Sequence, residues 1–219
     1  MNEQVTSDPR GLTRKGQATR QRIVEVAAAL MYEHGVADTS TLDVQHTAGV
    51  SASQLYHYFS DKKALVQAVI VHQTEGVLAA QSSMLARIDS IEGLEAWRDA
   101  LVELQQRQHC RGGCPIGSLS SELADVDPDA RAALAAAFSR WEDAIRGGLT
   151  AMRGRGELSP DADVDSLALA TLAAVQGGLL LTQARRDTLA LSTVLDLVID
   201  HIHCETTTPP KRRRAPSAR

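Results

Sequence analysis

Residues 41–65, with the sequence TLDVQHTAGVSASQLYHYFSDKKAL, decide the fold of this chain. Their residue types predict two short helices, over 41–48 and about 52–59, and Gly49 between them can adopt the positive φ of a tight turn. Two short helices joined by a glycine turn form a helix-turn-helix, the motif that places its second helix in the major groove of DNA. The stretch therefore predicts a DNA-binding element near the N-terminus.

The second of these helices carries its own start signal and its own anchor. Ser51 and Gln54, three positions apart, form a capping box, in which each side chain bonds the backbone N–H of the other residue. Leu55 and Phe59 are spaced i and i+4, so they lie on one side of the helix and we expect them to be buried. The polar and aromatic residues between them then face elsewhere.

The rest of the chain has the pattern of an all-α protein. Ala and Leu are frequent, Gly and Pro fall between periodic segments, and no β-branched run alternates with period two. A helix from Arg14 to His34, ended by Gly35, precedes the motif. After it we expect a loop over 111–117 and helices over 62–87, 91–109, 119–124, 128–153, 162–184 and 187–204.

Charge is distributed unevenly along the chain, although the net charge is only −4. Residues 10–63 have a net charge of +2 and residues 64–210 a net charge of −9, while the tail from Lys211 adds +5. The basic N-terminal part and the acidic remainder indicate two separate functions, and only the basic part suits contact with a polyanion such as DNA.

The sequence also suggests where the chain resides. It has no run of about 18 apolar residues, and its N-terminus lacks the apolar segment of a signal peptide. Three cysteines, an odd number, do not suit a disulfide framework. We therefore expect a cytoplasmic protein with free thiols and no membrane contact.

Two segments resemble a known family. TRQRIVEVAAALMYEHG at 19–35, followed by residues 41–65, resembles the N-terminal DNA-binding domain of the tetracycline-repressor (TetR) family of bacterial transcription regulators. GGCPIGSLSSEL at 112–123 is similar to a stretch found in one subset of that family. The resemblance implies an all-α fold, with an N-terminal three-helix DNA-binding domain and about six further helices for ligand binding and dimerisation.

The resemblance also implies the domain organisation of the chain. We expect a disordered arm over 1–13, the helix-turn-helix domain over 14–62 and a ligand-binding and dimerisation domain over 63–204. The proline-punctuated, cationic residues 205–219 are expected to form a disordered tail. This tail can add nonspecific affinity for DNA.

The resemblance, carried over by position, implies which residues contact DNA. Tyr56 and His57 would face the groove, whereas Tyr58 and Lys62 occupy positions at which the family contacts phosphate. Gln54 can bond adenine in two places. Whether His57 bonds a base or a phosphate stays open. The full set of expected DNA contacts is Thr41, Ser51, Ala52, Ser53, Gln54, Tyr56, His57, Tyr58 and Lys62.

Two positions depart from the family pattern. Gln45 occupies a position where the family usually has alanine, and Leu42 one where a polar or basic residue often helps to contact bases. We expect both departures to change the preferred operator sequence and to leave the fold intact.

The remainder of the chain has apolar helix faces that could enclose a pocket for a small molecule. The alternative is that each of these residues simply fills the core. The candidate pocket residues are Trp97, Leu101, Gln105, Phe138, Trp141, Ile145, Leu172, Gln176 and Leu179.

The last two long helices are rich in small and apolar residues, which let helices approach closely. In the TetR family these helices pair across a dimer axis as a four-helix bundle, and packing within one chain is the alternative. The candidate interface residues are Ala170, Ala174, Gly177, Gly178, Val194, Leu197 and Val198.

Histidines and cysteines occur in two groups, at His109, Cys110 and Cys114 and at His201, His203 and Cys204. Neither group alone offers the four closely spaced ligands of a structural zinc site. A free cysteine is usually a small buried hydrophobe. We therefore expect no metal and no cofactor, with sensing by thiols as the alternative.

Together these patterns predict a homodimeric transcription regulator, a repressor that a small-molecule inducer releases from a palindromic double-stranded DNA operator. No paired nucleophile and base and no glycine-rich phosphate loop occurs, so we do not expect an enzyme. Two alternatives stay open. One is a helix-turn-helix protein that binds DNA or a partner without a ligand, and the other is a sensor or enzyme that uses Cys110 or Cys114.

Overall fold

The computed structural model describes residues 11–207. Their regular structure is α-helical apart from one isolated bridge between Leu158 and Thr206. The all-α prediction is therefore confirmed. In chain order the helices are α1 (Arg14–His34), α2 (Thr41–Ala48), α3 (Ala52–Tyr58), α4 (Lys62–Leu85), α5 (Ile91–Arg107), α6 (Pro115–Leu123), α7 (Pro128–Gly154), α8 (Val164–Arg185) and α9 (Leu189–Cys204).

Capping residues fix the ends of the first helices. The Thr13 hydroxyl caps the start of α1, and Gly35, with a φ of 89°, ends it. Ser40 and Asp43 form a capping box at the start of α2, and Gly49 ends that helix in the left-handed region with a φ of 61°. The bounds predicted for α1 and α2 are confirmed because the groups that set them are local in sequence.

Helix α6 begins earlier than predicted. It starts at Pro115 and not at Leu119, so the loop predicted over 111–117 was too long at its C-terminal end. Proline has no backbone N–H, but the first turn of a helix does not need one, and the proline ring holds φ near the helical value. Pro115 therefore opens a helix here.

The described residues divide into two compact units. The first contains residues 11–79 and 115–138, and the second contains residues 80–114 and 139–207. Helices α4 and α7 contribute residues to both. The functional domains predicted over 14–62 and 63–204 stay predictions, because this division describes packing alone.

In the first unit, a core of apolar side chains holds the helix-turn-helix. Ile23 and Ala27 of α1, Val44 of α2, Leu55 of α3 and Leu65 of α4 are all fully buried. The i, i+4 spacing of the α1 residues turns one face of that helix toward the short helices. Each of the first four helices is thereby fixed by at least one fully buried side chain.

Polar links tie α6 and the start of α7 into the same unit. The Glu122 carboxylate accepts a hydrogen bond from the Val36 backbone N–H at 2.7 Å. The Lys63 ammonium pairs with Asp129 at 2.9 Å and with Asp127 at 3.3 Å. These contacts join chain segments that are far apart in sequence.

In the second unit, α8 packs along α9, and α9 packs against α5. A Cβ added at Gly178 would lie 2.8 Å from a methyl carbon of Leu191, so glycine permits the close approach of α8 and α9. Arg98 of α5 forms an ion pair with Asp196 of α9. These contacts fix α5, α8 and α9 against one another.

Helix α8 is the one helix within residues 11–207 that is long and apolar enough to cross a membrane. Half of its apolar window is buried inside the protein, and Leu172, Val175 and Leu179 belong to the core. Core helices of folded proteins share this composition. The expectation that the chain makes no membrane contact stays a prediction.

The two ends predicted to be disordered, 1–13 and 205–219, lie mostly outside the described residues. Of the tail, residues 205–207 are described. Thr206 forms the bridge to Leu158, and the Thr207 N–H donates to the Glu157 carbonyl at 3.0 Å.

Candidate DNA-binding site

The start of α3 is fixed by the predicted capping box. The Gln54 N–H donates to the Ser51 hydroxyl at 3.2 Å, and the Ser51 N–H donates to Gln54 Oε1 at 2.9 Å. This prediction is confirmed. The single oxygen of the Gln54 side chain is thus bonded to the Ser51 N–H, while its amide NH₂ has two hydrogens to donate.

The side of α3 that faces the protein is anchored by two residues. Leu55 is fully buried and Phe59 is 3% exposed, as their spacing predicted. The Arg20 guanidinium of α1 lies over the Phe59 ring, 5.1 Å from its centroid. A cation over an aromatic face is attracted to it, so this contact adds to the anchoring of α3 by α1.

The opposite side of α3 is open to solvent. Ser53, Gln54 and His57 are exposed, and the Tyr56 side chain is 50% exposed. The rings of His57 and Tyr58 meet edge to face, with centroids 4.9 Å apart. A row of hydrogen-bonding side chains therefore covers the outer face of a helix whose inner face is fixed.

Tyr58 and Lys62 lie beside the ends of other helices of the first unit. A Cβ placed on Gly16, in the first turn of α1, would lie 3.5 Å from the Tyr58 hydroxyl. The Lys62 ammonium donates to the Val36 carbonyl at 2.6 Å and to the Ala37 carbonyl at 3.4 Å. Because an ammonium has three hydrogens, these bonds leave Lys62 one further donor.

The remaining predicted positions lie at the helix starts. Thr41 is half-buried in the first turn of α2, and Ser51 and Ala52 are exposed at the start of α3. Of the two residues that depart from the family pattern, Leu42 is 62% exposed and Gln45 is half-buried. The predicted DNA contacts are thus gathered on α2, α3 and the first turn of α4, and their contact with DNA stays a prediction.

The predicted pocket residues fall in both units. Phe138 belongs to the first unit, whereas the others belong to the second. Trp97, Trp141 and Ile145 are fully or almost fully buried, as are most of the others, and Gln176 is half-buried. Burial alone fits both a pocket and a core.

The predicted interface residues also divide into two sets. Ala170, Gly177 and Leu197 are exposed, and Val194 and Val198 are half-buried. Gly178 and Ala174 are buried within the protomer, and Gly178 faces α9 of the same chain. The exposed set is the part of the prediction that a partner could reach.

Two features of the site were not foreseen. The sequence places Glu122 in a stretch similar to the family subset but gives no sign of its bond to Val36, 86 residues away. The hydrogen bonds from Lys62 to the Val36 and Ala37 carbonyls were not predicted either, because the sequence does not show which backbone carbonyls accept from a distant side chain.

Of the three cysteines, Cys110 and Cys114 are buried and Cys204 is exposed.

Comparison with known proteins agrees with this arrangement. The family model of bacterial regulatory proteins, tetR family, matches residues 23–69, and that of the tetracyclin repressor-like C-terminal domain matches residues 90–198. An uncharacterized HTH-type transcriptional regulator of Mycobacterium tuberculosis is 32% identical over 191 residues, which cover 83% of this chain and 91% of the relative. The HTH-type transcriptional repressor DhaR of Mycobacterium sp. is 25% identical over 83% of this chain and 90% of its own.

Solved structures share the fold along almost their whole length. A TetR transcriptional regulator from Chloroflexus aurantiacus has a TM-score of 0.75 and 26% identity, covering 89% of this chain and 98% of its own. The capped and anchored α3, the two matching family models and the mycobacterial relative lead to one conclusion. The chain belongs to the tetR family of bacterial regulatory proteins and is a helix-turn-helix, DNA-binding transcription regulator.

Proposed function

We propose that the chain is a homodimeric repressor that binds a palindromic operator through α3 and releases it when a small molecule binds the second unit. The observation that carries this proposal is the build of α3. Its start is held by the Ser51–Gln54 capping box and its inner side by Leu55 and Phe59, while its outer side chains are exposed. Such a helix enters the major groove with little ordering cost.

Side chains around α3 have two kinds of task in this proposal. The hydroxyls of Tyr56 and Tyr58 and the ammonium of Lys62 bond phosphate oxygens, which fixes the position of the protein on the duplex. His57 and Gln54 bond base edges. Because Gln54 Oε1 already accepts from the Ser51 N–H, its free NH₂ is the group that donates to N7 of adenine.

Leu42 extends the same surface with an apolar contact. It is 62% exposed on α2, so its side chain is accessible to DNA that contacts this surface. The methyl group of thymine is the apolar feature of the major groove, and aliphatic side chains can contact it. We therefore assign Leu42 a preference for a thymine in the operator.

The proposed dimer uses the outer faces of α8 and α9. Large apolar side chains on these helices are exposed, among them Leu180 and Leu189 at 66% and Leu197 at 64%. Together with the exposed small residues Ala170 and Gly177 of α8, they give these two helices an apolar outer surface of the kind that marks a protein interface. Two-fold pairing of this surface makes a symmetric dimer, and a symmetric dimer requires a palindromic operator.

Sedimentation tests this dimer. The substitution Leu197→Asp should shift the protein toward the monomer and weaken operator binding, because one chain then contacts one half-site. Val126→Asp is the matched control, since Val126 is 75% exposed but lies outside α8 and α9. A wild-type protein that sediments as a monomer at micromolar concentration contradicts the dimer.

Release by a small molecule follows from the spacing that DNA imposes. The two copies of α3 must lie about 34–36 Å apart to occupy successive major grooves. A ligand that favours another spacing lowers DNA affinity by its differential binding to the two states. Repression is supported by the relative DhaR, which is a transcriptional repressor by name. The chain would work in the cytoplasm, where its operator lies.

Selection of bound DNA from random fragments, with and without candidate small molecules, tests the whole proposal. We expect a palindromic site whose recovery falls when the inducer is present. Recovery of DNA without any shared sequence would contradict sequence-specific binding. A palindrome whose recovery no compound changes would favour regulation without a ligand.

A further inference from the structure

The core of the second unit holds polar atoms that find no hydrogen-bond partner within the described chain. They are Gln105 Oε1, Trp141 Nε1, Gln176 Nε2 and Thr182 Oγ1. The side chains of Gln105, Trp141 and Thr182 belong to residues only 3%, 1% and 0% exposed. Buried polar atoms are almost always bonded in folded proteins, so these four together need an explanation.

Several other buried polar side chains of the same protein are bonded, although Gln67 Nε2 in the first unit also has no partner within the described residues. Thr74 and Thr171, buried in helices, each donate at 2.7 Å to the carbonyl one turn earlier, whereas Thr182 does not. The indole N–H of Trp97 donates to Gln81 Oε1 at 2.9 Å, whereas that of Trp141 has no acceptor. Buried threonine and tryptophan side chains of this fold can thus find partners, which sets Thr182 and Trp141 apart from them.

Two of the unpaired groups lie at the same end of the second unit. The Cys110 N–H donates to the Gln105 carbonyl at 2.7 Å, and the Cys110 carbonyl accepts from the Arg186 guanidinium at 2.9 Å. The Arg186 N–H in turn donates to the Thr182 carbonyl at 2.9 Å. This chain of bonds holds the C-terminal ends of α5 and α8 beside each other, with Gln105 on one and Thr182 on the other.

The buried core within residues 11–207 contains no charged side chain, and the nearby Arg186 is exposed and already donates to the Cys110 carbonyl. Every buried polar residue within 11–207 is a threonine or a glutamine, and none is Asp, Glu, Lys, Arg or His. A carboxylate or ammonium that entered this core would lose its hydration without gaining a buried opposite charge, which is strongly unfavourable. An uncharged molecule does not meet this cost.

We propose that the C-terminal ends of α5 and α8 bind an uncharged small molecule that has an apolar body and both a hydrogen-bond donor and an acceptor. A primary carboxamide and an alcohol have this chemistry. Gln105 Oε1 accepts from the donor of the ligand, and the Thr182 hydroxyl donates to its acceptor. The proposal rests on the small-molecule response proposed above and adds the chemical class of the ligand.

Four probes of equal chain length test the class of ligand: hexanamide, hexan-1-ol, hexanoate and hexylammonium, titrated into the full chain by calorimetry at neutral pH. We expect the amide and the alcohol to bind, and the two ions to bind at least about tenfold more weakly. Binding of either ion as tightly as the amide overturns the proposal, as does a failure of both neutral probes to bind.

A pair of glutamine variants tests the site. Gln105→Met keeps the volume of the side chain and removes the unpaired acceptor, so hexanamide affinity should fall about tenfold while the Tm without probe stays equal or rises. Gln81→Met is the control, because it strips Trp97 of its acceptor, so it should lower the Tm and leave hexanamide affinity unchanged. A Gln105→Met protein with a lower Tm and unchanged affinity overturns the assignment.

Operator binding is measured on the same samples without probe, so that the two proposals fail separately. If the neutral probes bind but no operator is found, the proposed repressor function fails and the ligand class stands. If the operator binds and both neutral probes do not, the ligand class alone fails.

Discussion

The Glu122 carboxylate of α6 accepts the backbone N–H of Val36 at 2.7 Å, in the segment between α1 and α2. The Val36 carbonyl accepts the Lys62 ammonium at 2.6 Å, so both polar backbone groups of one residue are held by charged side chains. The Val36 side chain is itself buried. The turn that leads into α2 is thereby fixed from α4 on one side and from α6 on the other.

We predict that Glu122→Ala destabilises the protein. The Val36 N–H loses its acceptor, and a lost hydrogen bond to a charged group costs about 1.5–3 kcal/mol. Glu122→Gln keeps an acceptor oxygen and should cost less. Urea denaturation measures both. Glu103→Ala, which removes only a surface pair with Arg107, is the control and should change the stability little.

The Tyr56 hydroxyl is predicted to bond DNA, because the side chain is half exposed on the outer face of α3. Tyr56→Phe removes one oxygen and should weaken operator binding by about 0.5–1.5 kcal/mol, with helix content and dimer assembly unchanged. Fluorescence anisotropy at fixed salt checks this. Tyr32→Phe on α1 serves as the control, and equal affinity of both variants would argue against the assignment.

A comparison of the neighbouring residues Lys62 and Lys63 distinguishes a phosphate contact from an ion pair within the protein. Lys62→Ala should lower the slope of log affinity against log salt by about one, because one phosphate contact is lost. Lys63→Ala should leave that slope unchanged, since Lys63 pairs with Asp127 and Asp129. Titrations over a range of salt concentrations measure the slope. An unaltered slope in Lys62→Ala would mean that this lysine only holds the end of α1.

Asp127 should make stability depend on pH. Hydrogen bonding from the Ala130 N–H and the nearby Lys63 ammonium hold its pKa below the ordinary value of 3.8. A lowered carboxylate pKa gives stability that is fully present above the ordinary value and is lost as the pH falls through the lowered one. Asp127→Ala should therefore be less stable than the wild type at neutral pH.

The difference between these two proteins should shrink as the pH falls below 3.8. Denaturation curves at a series of pH values, with Asp125→Ala as a control from the same turn, follow this difference. A difference that stays constant through the acid range would show that Asp127 contributes through packing and not through its charge.

The sequence predicted those parts of the fold that depend on local groups. Ser40, Ser51, Gly35 and Gly49 mark helix ends because a cap or a positive φ acts within a few residues, and all four lie where they were expected. The i, i+4 pair on α3 was placed correctly for the same reason. The start of α6 at Pro115 was predicted wrongly, because proline is common both within loops and at the first position of a helix.

Contacts between distant segments could not be predicted in this way. Nothing in the sequence pairs Glu122 with Val36, and nothing shows that Gly178 serves the approach of α9 within its own chain. The candidate pocket was chosen by helix periodicity, which finds buried positions but does not tell a bonded glutamine from an unpaired one. Gln81 and Gln105 differ only in what the folded chain places beside them.

The capping box at the start of α3 limits how this regulator can change its preferred operator. Because Gln54 holds the helix start through Ser51, a substitution there alters stability and base contact together. Ser53 and His57 are exposed and have no part in that cap. Engineering of a new operator preference should therefore begin at 53 and 57, and natural divergence of operators should leave the Ser51–Gln54 pair in place.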